Sequence, residues 1–288
     1  MPSSYKLKKL AAFTTSPAGG NPAGVWIGET LPTADEMQQI AGDIGFSETV
    51  FVAPSTGSVR TVRYFSPEAE VAFCGHATIA AGVALGRETG GGTYQFDTTI
   101  GRVPVVVGQQ QGELRASLTA VETKFEPASA SLLARALSAL RWSDAKLDPC
   151  IAPARAFGGN WHLVIAVASK SRLDDLDYDF EALKTLMLDD NLTTLQLIWR
   201  ASDQWIHSRN PFPIGGVVED PATGAAAAAL GGYLREAKII QAPMEIDILQ
   251  GEKMGRPSHL QLSIPVSGGI RVSGTAVDLQ SPADNICD

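Results

Sequence analysis

The chain is poor in the residues that would staple it, metallate it or anchor it. Its 288 residues hold only three cysteines, Cys74, Cys150 and Cys287, an odd number at wide spacing that does not make a disulfide framework. The four histidines, His76, His162, His207 and His259, lack metal-ligand spacing. The longest apolar stretches, residues 77–85 and 225–230, fall short of the roughly 20 residues a membrane helix needs. The first ten residues contain lysines but no apolar segment of signal-peptide length. There is no basic run, and 31 acidic against 23 basic side chains leave a net charge of −8, which argues against a nucleic-acid partner. No GxGxxG follows a predicted strand and no GxxxxGK[ST] is present, so no nucleotide or flavin site is read. These absences describe a cytoplasmic protein that uses no cofactor and no metal and binds neither nucleic acid nor membrane.

What is present is a chain that is 44% hydrophobic, with charges of both signs throughout, long enough for about two domains. A strand is predicted at 9–14, then a Gly/Pro-rich loop at 16–24. Thr33 and Glu36 form a capping-box pattern for a helix that ends near Gly45. Strands are predicted at 49–52 and 59–65, followed by a segment at 73–85 that is apolar on every face and therefore a buried helix. Further strands are read at 94–97, 102–107 and 113–118, a linker at 125–130 and a helix at 131–140.

The second half echoes the first. Gly19-Gly20-Asn21 recurs as Gly158-Gly159-Asn160, and Arg63-Tyr64-Phe65-Ser66-Pro67 as Arg209-Asn210-Pro211-Phe212-Pro213. The apolar helix after Gly75-His76 is matched by one after Thr223-Gly224, and Ile100-Gly101-Arg102 by Met254-Gly255-Arg256. Four echoes in one order imply a diverged duplication: two similar domains related by a pseudo-two-fold axis.

Each half thus places a glycine turn before a buried helix. A helix start offers unpaired backbone N–H groups and a partial positive charge, which suit an anion; the glycines are equally explained by tight helix–sheet packing. Glu48 precedes an apolar strand. A carboxylate at such a strand mouth, partly withdrawn from water, is suited to take and return a proton, although an exposed strand-end glutamate fits the composition as well. The second half has no matching acid at 195–200, so one principal base is expected. His76 opens the first buried helix, as a substrate contact, a proton shuttle or a structural hydrogen bond. Asp220 precedes Pro221-Ala222-Thr223-Gly224, a pattern that reads as an N-cap with proline at the first helical position. Cys74 and His76, two residues apart, are read as poor geometry for a thiol nucleophile.

Gly20-Asn21-Pro22, Ser47-Glu48-Thr49-Val50-Phe51, Cys74-Gly75-His76-Ala77-Thr78 and Glu219-Asp220-Pro221-Ala222-Thr223-Gly224 together resemble the phenazine-biosynthesis-like (PhzF-like) isomerases, nearly end to end. The resemblance implies an α+β protein of the diaminopimelate-epimerase fold: two pseudo-symmetric domains, each a curled β-sheet around a central buried helix. The domains would span 1–122 and 123–275, with a terminal strand near 276–288 returning to the first. It further implies cofactor-independent proton transfer on a small anionic carboxylate substrate, in a cleft between the domains of a homodimer. Glu48 takes the place of the family's acid/base, and His76 and Asp220 those of its substrate-binding histidine and aspartate. Asn21, Ser47, Gly75, Gly224 and Ala225 are the expected substrate contacts, with an anion held by the two helix starts. Two departures stand out. The best-known member, a dihydro-hydroxyanthranilate isomerase, carries a serine where this chain has Ala225, so one substrate hydrogen bond is missing. The related epimerases use two opposed cysteines, of which only Cys74 is present here. Alternative readings are a racemase or epimerase that pairs Glu48 with Cys74, and a non-catalytic small-acid binding protein.

Overall fold

The computed structural model describes residues 5–110 and 112–279; Cys287 and the last nine positions of the expected terminal strand lie outside these. The chain forms two compact units. One comprises the chain up to Thr119 together with the segment from Ser273; the other is Ala120–Val272.

In the first unit β1 (Tyr5–Ala12), β2 (Asn21–Gly28), α1 (Ala34–Ile44), β3 (Glu48–Pro54), β4 (Val59–Phe65) and β5 (Glu70–Val71) precede α2 (Gly75–Thr89). After it come β6 (Gly92–Thr98), β7 (Gly101–Gln110) and β8 (Glu113–Thr119). β1 pairs antiparallel with β2, β2 parallel with β3, β3 antiparallel with β4, and β4 parallel with β6. β6, β7 and β8 continue as an antiparallel meander. The sheet curls around α2, which packs on β1, β2, β3, β7 and β8. Every residue of α2 from His76 to Gly86 is buried, as its lack of a polar face requires. A Cβ on Gly82 would lie 2.8 Å from the Cβ of Ala116, so glycine here lets the helix seat on the sheet.

The second unit repeats this connectivity. β9 (Lys124–Pro127) and α3 (Ala130–Leu140) lead to β10 (Ala154–Phe157), β11 (Trp161–Ala166), α4 (Lys170–Asp174), α5 (Phe180–Asp189), β12 (Thr194–Arg200), β13 (Trp205–Phe212) and β14 (Val217–Asp220). Then follow α6 (Gly224–Glu236), β15 (Met244–Gln250) and β16 (Ser258–Ile264). β11 runs parallel to β12, β12 antiparallel to β13, β13 parallel to β15, and β15 antiparallel to β16, the order of β2, β3, β4, β6 and β7. α6 takes the part of α2 and packs on β9, β10, β11, β12 and β16. Leu163, Ile165, Leu195 and Leu197 point the other way, into a core with α3 and α5. Finally β17 (Arg271–Gly274) pairs with β8, and β18 (Ala276–Asp278) pairs with β1.

The Thr33–Glu36 capping box and the left-handed Gly45 cap bound α1 as the sequence indicates. Two segments differ from expectation. The loop at 16–24 is strand from Asn21 onward. On the β3 side Pro22 fits because pairing there begins only at Ala23, so its missing N–H leaves no bond to β3 unmade. The linker at 125–130 begins as strand β9, paired to β10, with Pro127 at its last position. No helix among the described residues is long and apolar enough to cross a membrane.

Candidate active site

Glu48 is placed by two local rules. Gly45, with φ 68° and ψ 15°, ends α1 in a left-handed turn and donates its N–H to the Ala41 carbonyl. Three residues later Glu48 opens β3 opposite Ala23 of β2. Strand alternation then sets its direction. Phe51 packs outward with Met37 and Ala41 of α1, so Glu48, Val50 and Val52 share the opposite face, toward α2.

At the start of α2, Cys74 is the extended N-cap residue, with φ −139° and ψ 118°, and its side chain does not cap. His76 follows as the second helical residue. Its Nε2 lies 3.4 Å from Glu48 Oε2, and its Nδ1 lies 3.2 Å from Asn21 Nδ2 and 3.3 Å from Cys74 Sγ. The cysteine–histidine pair therefore has better geometry than its spacing suggested. Asn21, Cys74 and His76 are all buried, while the Glu48 side chain keeps about a fifth of its exposure. A carboxylate, a thiol and an imidazole thus meet at one helix start.

A second layer holds this start in place. Thr78 donates its hydroxyl to the Cys74 carbonyl at 2.7 Å, and the buried Tyr64 hydroxyl lies 2.7 Å from Thr78 Oγ1. Desolvation pushes the Tyr64 phenol far above its ordinary range, so it stays neutral and serves as a hydrogen-bonding group. Sequence reading missed Tyr64. Its signal was the Arg63-Tyr64-Phe65 strand, in which alternation turns Tyr64 toward α2.

Of the other expected contacts in this unit, Gly75 is the first residue of α2 and half-buried, whereas Ser47 is exposed on the loop before β3. In the second unit Asp220 is not the N-cap of α6. Thr223 holds that position, and its hydroxyl donates to Asp220 Oδ2 at 2.5 Å. The two intervening residues, Pro221 and Ala222, put the carboxylate a step too far back to cap. Gln250 Nε2 donates to the Asp220 carbonyl at 2.7 Å. The neighbouring Glu219 is buried and paired with Arg209, which also donates to the Leu173 and Asp174 carbonyls. Gly224 and Ala225 are the first two residues of α6, with Gly224 buried and Ala225 half-buried.

The two strand patterns can be laid over one another. Ala23 faces Glu48 across β2 and β3; His162 faces Thr194 across β11 and β12. Thr194 thus holds the topological place of Glu48. Thr223 and Ala225 hold those of Cys74 and His76, counted from the start of each helix. Thr194 is buried, 2.8 Å from His162 Nδ1, and burial pushes His162 down to about 3. Among the described residues, the cluster of carboxylate, thiol and imidazole lies in the first unit.

The phenazine biosynthesis-like protein family matches residues 10–281. A trans-2,3-dihydro-3-hydroxyanthranilate isomerase of Pseudomonas aeruginosa is 31% identical over 270 residues, 93% of each chain. An uncharacterized isomerase, YfhB, of Bacillus subtilis is 30% identical, over 93% of this chain and 94% of that one. A PhzF-family protein of Bacillus anthracis has the same fold, with a TM-score of 0.84 at 24% identity over 97% of this chain and 98% of that one. A probable proline racemase of Agrobacterium radiobacter shares the fold more distantly, with a TM-score of 0.64 at 12% identity over 95% and 91%. With an epimerase-like fold, a match over nearly the whole chain and relatives named as isomerases, the chain belongs to the phenazine biosynthesis-like family of isomerases.

Proposed function

We propose that the protein moves a proton between two carbons of a small carboxylate substrate, without a cofactor, using Glu48 as the single acid/base. The observation that carries this reading is the asymmetry of the repeat. Glu48 stands at a strand mouth beside His76, and the corresponding residue of the second unit is Thr194, which cannot act as a base. One base can take a proton from one carbon and return it to another on the same face, as an allylic shift requires.

The remaining residues act around that carboxylate. His76, hydrogen-bonded through Nδ1 to Asn21, directs Nε2 at Glu48 and can share the migrating proton with it. The backbone N–H groups at the start of α2, with Gly75, favour the substrate carboxylate, and the start of α6, with Gly224, Ala225 and the nearby Asp220, offers polar groups of the same kind within the second unit. The hydroxyanthranilate relative supports a substrate of that chemical class, a carboxylate next to a conjugated system. Ala225 in place of a serine favours a substrate with one polar group fewer. The working form would be a cytoplasmic homodimer, which sedimentation of the purified protein checks.

The test is proton exchange in heavy water, followed by NMR across a panel of small unsaturated carboxylic acids. Glu48→Gln should lower turnover on any active compound by about 10²–10⁴. Full turnover in this variant would refute the reading. A second reading, epimerisation by Glu48 and Cys74 as opposed groups, is disfavoured, because a carboxylate oxygen of the one and the sulfur of the other lie within 4.8 Å, too close to hold a substrate carbon between them. It predicts inversion at one carbon that is lost in Cys74→Ser, whereas the single-base reading predicts a double-bond shift that survives.

A further inference from the structure

Glu48, Cys74 and His76 form a donor set that proton transfer alone does not explain. One ligand atom from each lies within 4.8 Å of the other two. His76 Nε2 is 3.4 Å from Glu48 Oε2 and 3.9 Å from Cys74 Sγ. A tetrahedral zinc ion, with bonds of about 2.0–2.3 Å, holds its ligand atoms roughly 3.3–3.6 Å apart. The Glu48–His76 edge already meets that spacing; the two edges to Cys74 require its side chain to rotate, carrying Sγ from its place 3.3 Å from Nδ1 round to the Nε2 side of the ring. Thiolate with imidazole selects a borderline-soft ion over magnesium or calcium, which take oxygen donors. Asn21 completes the arrangement. When Nε2 binds a metal, Nδ1 carries the proton, and the Asn21 amide, turned to present its oxygen, accepts it.

We propose that this cluster is a three-ligand zinc site, and that zinc binding there shuts the isomerase off. Binding releases the Cys74 thiol proton and engages lone pairs of the Glu48 carboxylate and the His76 imidazole, the groups that would otherwise move the substrate proton. The fourth position stays open to water, because the Glu48 side chain is the partly exposed member of the set. The metal site stands on donor geometry alone; only the inhibition rests on the function proposed above.

The experiment titrates the whole, reduced protein with cobalt(II) and, separately, with zinc(II) in competition with a chromophoric chelator, with magnesium as control. Cobalt should give a thiolate-to-metal charge-transfer band and intense tetrahedral visible bands; magnesium should not compete. Cys74→Ser, nearly isosteric, should abolish the charge-transfer band. It should also weaken zinc by at least roughly tenfold, since even the loss of an outer partner of a metal ligand costs that much. Cobalt bound without a thiolate band, zinc held equally well by Cys74→Ser, or no metal bound would each overturn the site. The cobalt spectrum of the unaltered protein decides the matter even if the variant misfolds. Stoichiometric zinc should stop proton exchange on an active substrate, and chelation should restore it; exchange unaffected by bound zinc would overturn the inhibition. A thiolate band with no exchange on any substrate would leave the metal site standing while the isomerase reading fails.

Discussion

Asn21 Nδ2 lies 3.2 Å from His76 Nδ1, on the side of the ring away from the 3.4 Å approach of Nε2 to Glu48. The asparagine is on β2 and nearly inaccessible to solvent, so the imidazole is held between a fixed amide and a titratable carboxylate. This arrangement makes Asn21 a positioning residue whose effect passes through the ring.

Asn21→Ala should therefore lower kcat more than it raises KM. Removing a hydrogen-bond partner of a buried group costs about 1–3 kcal/mol, and 1.4 kcal/mol is about tenfold in rate. A purely structural role would leave the pH profile of kcat in place. The positioning role predicts a displaced profile and a changed tautomer ratio for His76 in nitrogen-15 NMR.

Tyr64 and Thr78 give a graded pair. Tyr64→Phe removes one hydroxyl and leaves Thr78 donating to the Cys74 carbonyl. It should cost about 0.5–1.5 kcal/mol. Thr78→Val removes the shared centre and strands the buried Tyr64 hydroxyl, so it should cost more, up to about 3 kcal/mol. Urea unfolding midpoints of the two variants check the order, and a smaller loss in Thr78→Val would contradict it.

His162 predicts a pH dependence. Burial holds it neutral down to about 3, against 6.5 for an ordinary histidine. Between these values the unfolded chain binds a proton that the folded chain does not, so this residue makes stability fall as pH drops from about 6.5 toward 3. The slope from one such group is at most about 1.4 kcal/mol per pH unit. His162→Gln should flatten the unfolding free energy between pH 6.5 and 4.5 relative to the unaltered protein. Equal slopes in denaturant titrations would show that another group is responsible.

Arg209 and Glu219 form a nearly buried ion pair beside Asp220. Arg209→Met leaves the Glu219 carboxylate uncompensated, and breaking such a pair costs about 3–5 kcal/mol. The double variant Arg209→Met with Glu219→Leu should recover most of that stability. If Asp220 contacts substrate, the double variant should still show a raised KM, because β13, the strand that pairs with β14, loses the Arg209 tether to the Leu173 and Asp174 carbonyls. Steady-state kinetics beside thermal unfolding separates the two effects.

Much of this was legible in the chain. Capping of α1, the fully apolar character of α2 and the alternation of β3 and β4 are local properties with short-range causes, and the repeat showed in the order of its motifs. Contacts with partners far away in sequence were not legible. Thr194, the counterpart of Glu48 in the second unit, lies one residue before the 195–200 segment, and only strand register identifies it. Asp220 reads as a cap by composition, yet Thr223 holds that position, because Pro221 and Ala222 intervene.

The sequence by itself determined the doubled arrangement and the buried central helices, because each rests on periodicity or on the order of short motifs; the α+β class and the expectation of Glu48 as the base came with the family resemblance. Tertiary structure alone decided that Glu48, Cys74, His76 and Asn21 share one cluster. Those four side chains come from β2, β3 and the start of α2. They meet only because the parallel pairing of β2 with β3 and the curl of the sheet bring three strand and helix ends to one place, and no spacing along the chain encodes that.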